Sequence, residues 1–175
     1  MAYRWWRLVP AAAALGADAA SKAWARAALS HAGVVWIWRP WLSLQLLYNA
    51  GATLGLGADH SRWITAVSVL AVAALVVLVV RSEHGGAGLV LMLGGAAGNL
   101  DSRLSQGAVT DFIHVWFWPG IFNLADVFLR VGALVFLASM LRAERGRGRP
   151  TSPGPDGAEA GRGVVLGDAR SGDGG

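Results

Sequence analysis

The sequence predicts an all-α membrane protein with four transmembrane helices and a small extracytoplasmic β-containing segment between the first and second. Three observations predict it. Hydrophobic residues make up 54% of the 175-residue chain, with a mean hydropathy of +0.45, too apolar for an ordinary soluble domain. The stretch Trp63 to Val80 carries no charge and would rise about 27 Å as a helix, enough to cross a bilayer core. The arginines collect at the ends of apolar stretches: Arg4 and Arg7 before the first, Arg81 after the second, and Arg142, Arg145, Arg147 and Arg149 after the last. By the positive-inside rule, both termini are expected in the cytoplasm.

The first span runs from about Leu8 to Ala28, is rich in alanine, and holds Asp18 and Lys22. Residues 1–19 also resemble a secretory signal peptide, with Ala17-Asp18-Ala19 as its cleavage site. Against that reading, the segment continues through Asp18 and Lys22, an i, i+4 pair able to neutralise itself on one helix face. The second span is Trp63 to Val80; the third, Ala87 to Leu104, fades into the polar run Asn99 to Arg103; the fourth, Ile121 to Leu141, carries Asp126 and Arg130. This arrangement places residues 29–62 and 105–120 outside and leaves Arg81 to Gly86 as a cytoplasmic turn. Seven tryptophans, Trp24, Trp36, Trp38, Trp41, Trp63, Trp116 and Trp118, then fall at the outer interface, where indoles prefer to sit. Partial alternation over Trp41 to Asn49 predicts a short strand or hairpin on the membrane surface. From Gly146 the composition turns to Gly, Pro, Arg, Asp and Ser, so the membrane domain is taken as 1–145 and residues 146–175 as a disordered cytoplasmic tail.

Composition also excludes function classes. The chain has no cysteine, hence no disulfide and no thiolate chemistry. His31, His60, His84 and His114 show no metal-ligand spacing, so metal chemistry has little support. The net charge of +4 follows membrane orientation rather than a basic recognition element, so no nucleic-acid partner is expected.

A charge at mid-membrane costs about 2.5 to 3.5 kcal/mol on insertion scales, so intramembrane polar residues are functional candidates. Here they form two groups, Gly98 to Arg103 with Val109 to Phe112, and Phe122 to Asp126, which the topology brings to one membrane face. Asp111 and Asp126 are the candidate catalytic pair: one ionised carboxylate activates water while the other, kept protonated by its partner's charge, donates to the scissile carbonyl. Asn99, Asn123 and Arg103 are placed to satisfy the carboxylates and orient a substrate backbone. Each Asp taken singly reads equally as a helix cap or an interfacial residue. Gly94 and Gly98, in GxxxG spacing, are assigned to packing. Arg130 either pairs with Asp126 or snorkels to the interface.

In order along the membrane domain, Asp18 with Lys22, Asn49-Ala50-Gly51-Ala52, Gly94-Gly95-Ala96-Ala97-Gly98-Asn99 through Arg103, Gly107, Val109, Asp111 and Phe112, and Phe122-Asn123-Leu124-Ala125-Asp126 resemble the motif blocks of the lipoprotein signal peptidase (signal peptidase II) family. The resemblance implies an aspartic endopeptidase of the bacterial cytoplasmic (inner) membrane that needs no metal or cofactor and no obligate protein partner. Its partners would be membrane lipid and lipid-modified prolipoprotein substrates, cut before the diacylglyceryl-modified Cys. Asp111 and Asp126 match the catalytic aspartates. Asn49, Gly51, Asn99, Arg103 and Asn123 match residues lining and supporting the site, and Asp18 and Lys22 a first-helix supporting pair. Two departures stand out. Ser102 occupies the place of the family's Asp before the Arg, and Thr53-Leu54-Gly55 replaces an aromatic residue followed by Ser. Asp101 lies about 100° from position 102 on an ideal helix, so it can support Arg103 only if the helix is unwound or ends there. The alternatives are a transporter or proton relay through Asp18, Lys22, Asp111 and Asp126, and an inactive membrane scaffold.

Overall fold

The computed structural model describes residues 8–51, 61–82 and 86–147. Arg4 and Arg7, Thr53 to Gly55, the centre of the expected Arg81 to Gly86 turn, and the tail beyond 147 lie outside the described residues. The elements are α1 (Val9–Leu29), β1 (Val35–Trp38), β2 (Leu42–Asn49), α2 (Ser61–Arg81), α3 (Gly86–Gln106), β3 (Val109–Val115), β4 (Ile121–Phe122) and α4 (Leu124–Arg147).

Helix α3 is the centre of the bundle and packs against α1, α2 and α4. Small residues make this close approach possible. A β-carbon on Gly94 would meet Ala14 and Ala11 of α1, and one on Gly98 would collide with the Asp18 carboxylate. Gly94 and Gly98 thus face α1, while Gly95 lies against the Ala125 carbonyl and Gly88 against Gly132 and Phe136 of α4. On α1 the buried residues are Ala11, Ala14, Asp18, Lys22, Ala25 and Leu29, a single stripe at helical spacing that includes both charges.

The molecule is inverted relative to a soluble domain. Its largest fully buried side chains, Lys22, Asn123, Thr110, Asp18 and Ser43, are all polar, whereas Leu70 of α2 and Leu134 of α4 are 70% and 68% exposed. Water would not tolerate such a surface, but lipid favours it. Helices α2 and α4 are long and apolar enough to cross a membrane.

The β structure is more extensive than the sequence suggested, and the all-α expectation with β structure confined to the α1–α2 segment is corrected here. One antiparallel sheet, ordered β1-β2-β3-β4, draws two strands from the segment between α1 and α2 and two from the segment between α3 and α4. Gly107 (φ 74°) ends α3, and its N–H bonds the Arg103 carbonyl at 3.0 Å. This left-handed turn, cheap only for glycine, sends the chain back as β3. Strand β3 pairs with β2, setting Leu47 opposite Asp111 and Asn49 opposite Val109, and with β4, setting Ile113 opposite Phe122. Its Phe112 packs with Ala25 and Leu29 of α1 and meets Trp24 edge-on at 6.2 Å. Since Ile121 and Phe122 belong to β4, α4 starts at Leu124, three residues later than expected.

Candidate active site

Asp111 and Asp126 come from different kinds of element and meet through one asparagine. Asp111 lies mid-strand in β3 and is 2% exposed. Its carboxylate accepts from Asn123 Nδ2 at 2.6 Å and from Asn49 Nδ2 at 3.1 Å. Asp126 lies in the first turn of α4, where the helix macrodipole favours a negative charge. It accepts from Asn99 Nδ2 at 2.9 Å and from the Asn123 backbone N–H at 3.3 Å. Asn123 Oδ1 in turn accepts from the Asp126 N–H at 3.0 Å. Asn123 and Asp126 therefore form a reciprocal capping box, and the helix-cap reading of Asp126 holds alongside its place beside Asp111. Because Asn123 Oδ1 is committed to the cap, its amide nitrogen faces Asp111 and also bonds Asn99 Oδ1 at 3.1 Å.

Asp18 and Lys22 support this arrangement from beneath. Lys22 Nζ sits 2.7 Å from Asp18 Oδ2, 3.0 Å from Asn99 Oδ1 and 3.2 Å from the Gly98 carbonyl. Asp18 Oδ1 accepts the Ala125 N–H at 2.8 Å, satisfying one of the free donors at the start of α4. One buried ion pair thereby ties α1 to α3 and α4. Asn49 Oδ1 accepts the Gly51 N–H at 3.0 Å, an Asx turn that aims the Asn49 amide at Asp111. Arg103 holds the turn from the other side, donating to the Gly51 carbonyl at 3.2 Å and the Asn99 carbonyl at 3.3 Å.

Burial pushes the Asp111 carboxyl up to about 6; the Asn49 amide opposes that shift and the nearby Asp126 charge adds to it. A cavity of about 640 Å3 opens onto the pair. Asn49, Asn99, Arg103 and Asn123 line its polar end, and Ile64, Val67, Ala71 and Leu75 of α2 form an apolar wall. Among the described residues no three His, Asp or Glu side chains gather as metal ligands would. All nine residues singled out from the sequence thus sit in or directly beneath one constellation.

Residues 10–142 match the family model for signal peptidase (SPase) II. The chain belongs to the signal peptidase II family. It is 42% identical over 117 residues to the lipoprotein signal peptidase of Paraburkholderia phytofirmans, covering 59% of this chain and 66% of the relative. It is 37% identical over 141 residues to that of Pseudomonas paraeruginosa, covering 73% and 83%. A solved bacterial membrane enzyme shares the fold, with a TM-score of 0.75 at 20% identity, over 84% of this chain and 93% of that one. Signal peptidase II is a membrane protease, which sets aside the transporter reading.

The departure at Ser102 has a structural answer. Helix α3 continues unbroken to Gln106, so Asp101 stays on the exposed face. Ser102 is buried and bonds back to the Gly98 carbonyl at 3.1 Å. Arg103 instead uses the two backbone carbonyls, an arrangement no side-chain motif reveals. Asp101→Ala should therefore leave cleavage within about twofold of wild type, as for surface substitutions generally; a tenfold loss in a cleavage assay would show that Asp101 reaches Arg103 after all. Sequence reasoning missed Arg26, which donates to Thr110 Oγ1 at 3.2 Å and braces β3 beside Asp111. Its signal was its place one turn beyond Lys22 on α1. Arg130 does not form an ion pair with Asp126; its guanidinium lies over Trp118 and Phe122, 4.8 and 5.2 Å from the ring centres.

Proposed function

We propose that the chain removes signal peptides from bacterial prolipoproteins, cutting before the diacylglyceryl-modified Cys, with Asp111 and Asp126 as the catalytic pair. The observation that carries this reading is the Asn123 bridge, which fixes two carboxylates from separate elements at the polar end of a largely apolar cavity. Asp126, accepting two N–H groups at a helix start, takes a proton from water as it attacks the scissile carbonyl. Asp111, protonated, donates to that carbonyl's oxygen. Return of the proton from Asp126 to the departing amine, and of one from the tetrahedral intermediate to Asp111, completes the cycle. Asn49, Gly51, Asn99, Arg103 and Asn123 hold this geometry, and Asp18 with Lys22 support it. The apolar wall of α2 suits a signal peptide and acyl chains arriving from the bilayer. Purified protein should cleave a lipid-modified prolipoprotein without added metal, and the unmodified precursor poorly; failure to cleave the lipidated form would refute the function.

The same reading puts four spans in the bacterial inner membrane, with both termini in the cytoplasm and the sheet outside. Helices α1, α2 and α3 have 21 residues each and α4 has 24, long enough at about 1.5 Å per residue to cross the core. Single cysteines introduced at positions 30–50 should react with an impermeant thiol reagent only from outside, and those after Arg142 only from inside. Labelling of both regions from the same side would refute the topology.

A further inference from the structure

Arg130 lines the same cavity as the two aspartates, yet nothing in the catalytic arrangement uses it. It lies four residues after Asp126, one turn along α4, and helical side chains lean toward the N-terminus, here toward the site. Although exposed, it is held in place by Trp118 and Phe122, which stack against its guanidinium. Among the described residues it makes neither a hydrogen bond nor an ion pair, so its N–H donors remain available. Ile64, Val67, Ala71 and Leu75 of α2 line the same cavity. A group with acyl chains on one side and hydrogen-bond acceptors on the other fits between them.

We infer that Arg130 is a specificity-determining residue that donates to the ester carbonyl oxygens of the substrate's diacylglyceryl group while the acyl chains lie along α2. This inference rests on the functional reading above. The distances agree: the glyceryl esters are a few bonds from the Cys whose peptide bond is cut, and Arg130 lies four residues, about 6 Å along the helix axis, from Asp126. The same donors could also hold a phospholipid phosphate, and the vesicle composition in the test separates that source from the substrate's esters.

The test compares two synthetic lipopeptides, one with diacyl ester chains and one with the matching dialkyl ether chains, which lack the carbonyls. Wild type should show a KM about tenfold lower for the ester, the effect of a charge-assisted hydrogen bond. Arg130→Gln should raise KM for the ester substrate about tenfold, leave kcat within about twofold, and bring the ester-to-ether ratio close to one. Arg130→Lys should fall between, keeping a donor but losing the fork. An ester-to-ether ratio equal in wild type and Arg130→Gln would overturn the inference. So would a KM effect that vanishes in vesicles of phosphatidylcholine alone, which would assign Arg130 to an anionic phospholipid. If wild type cleaves neither lipopeptide, the functional reading itself fails, and this inference with it.

Discussion

Asp111→Asn and Asp126→Asn should each reduce cleavage by about 10³-fold or more, within the range general acid–base groups supply when two proton transfers depend on one pair. Both oxygens of each carboxylate face donors: Asn123 and Asn49 for Asp111, Asn99 and the Asn123 N–H for Asp126. An amide in either place sets one donor against another, at a cost of about 1–3 kcal/mol. Some stability is therefore lost, while insertion and the α4 cap remain. The signature is a protein that inserts and purifies but does not cut. Loss of activity by tenfold or less in either variant would remove that aspartate from the chemistry.

The Asp111 environment also predicts a pH profile. Its carboxyl is raised to about 6, so the proton the mechanism needs persists up to that pH and is lost above it. The kcat/KM of wild type, which reports the free enzyme, should fall on the alkaline side with a midpoint near 6. Bound substrate displaces water and deepens the burial that raised this group, so kcat should fall at higher pH than kcat/KM. Coincident midpoints for the two profiles would show that substrate leaves the burial of Asp111 unchanged.

Much of this was legible in the sequence because the membrane makes polar residues expensive. The uncharged stretch of α2 identified itself, and the aspartates, asparagines and Arg103 stood out at sites where lipid was expected. Two things were obscured. Hydropathy took Ile121 and Phe122 into the last helix because it registers apolarity and not caps, although Asn123 and Asp126 spell the capping box that starts α4. Strand β3 gives hydropathy no signal, yet Val109-Thr110-Asp111-Phe112-Ile113-His114-Val115 is rich in β-branched residues and follows the turn at Gly107. What the sequence could not reveal is the backbone side of the site. Arg103 rests on the carbonyls of Gly51 and Asn99, and Asp18 on the N–H of Ala125; backbone groups are present at nearly every position, so they leave no pattern to read.

Lys22→Met should be the most damaging single change outside the catalytic pair. Lys22 is 2% exposed, and its ammonium sits within bonding distance of three oxygens, on Asp18, Gly98 and Asn99, matching its three donors. Removing it leaves the fully buried Asp18 carboxylate without a counter-charge, a loss of about 3–5 kcal/mol for breaking a buried pair. It also frees Asn99, whose amide holds Asp126, so activity per folded molecule should fall as well. The pair's own net worth is a separate matter, since replacing both partners of a buried ion pair is often near neutral. Adding Asp18→Asn to Lys22→Met should therefore recover most of the thermal stability, because the introduced amide oxygen can still accept the Ala125 N–H. Activity should stay low, since Asn99 still lacks its lysine. Thermal melting in detergent, with cleavage normalised to folded protein, separates the two effects. If Lys22→Met melts like wild type, the ion pair does not clamp α1 to α3 and α4; if the double variant regains full activity with its stability, Lys22 acts on the fold alone and does not position Asn99.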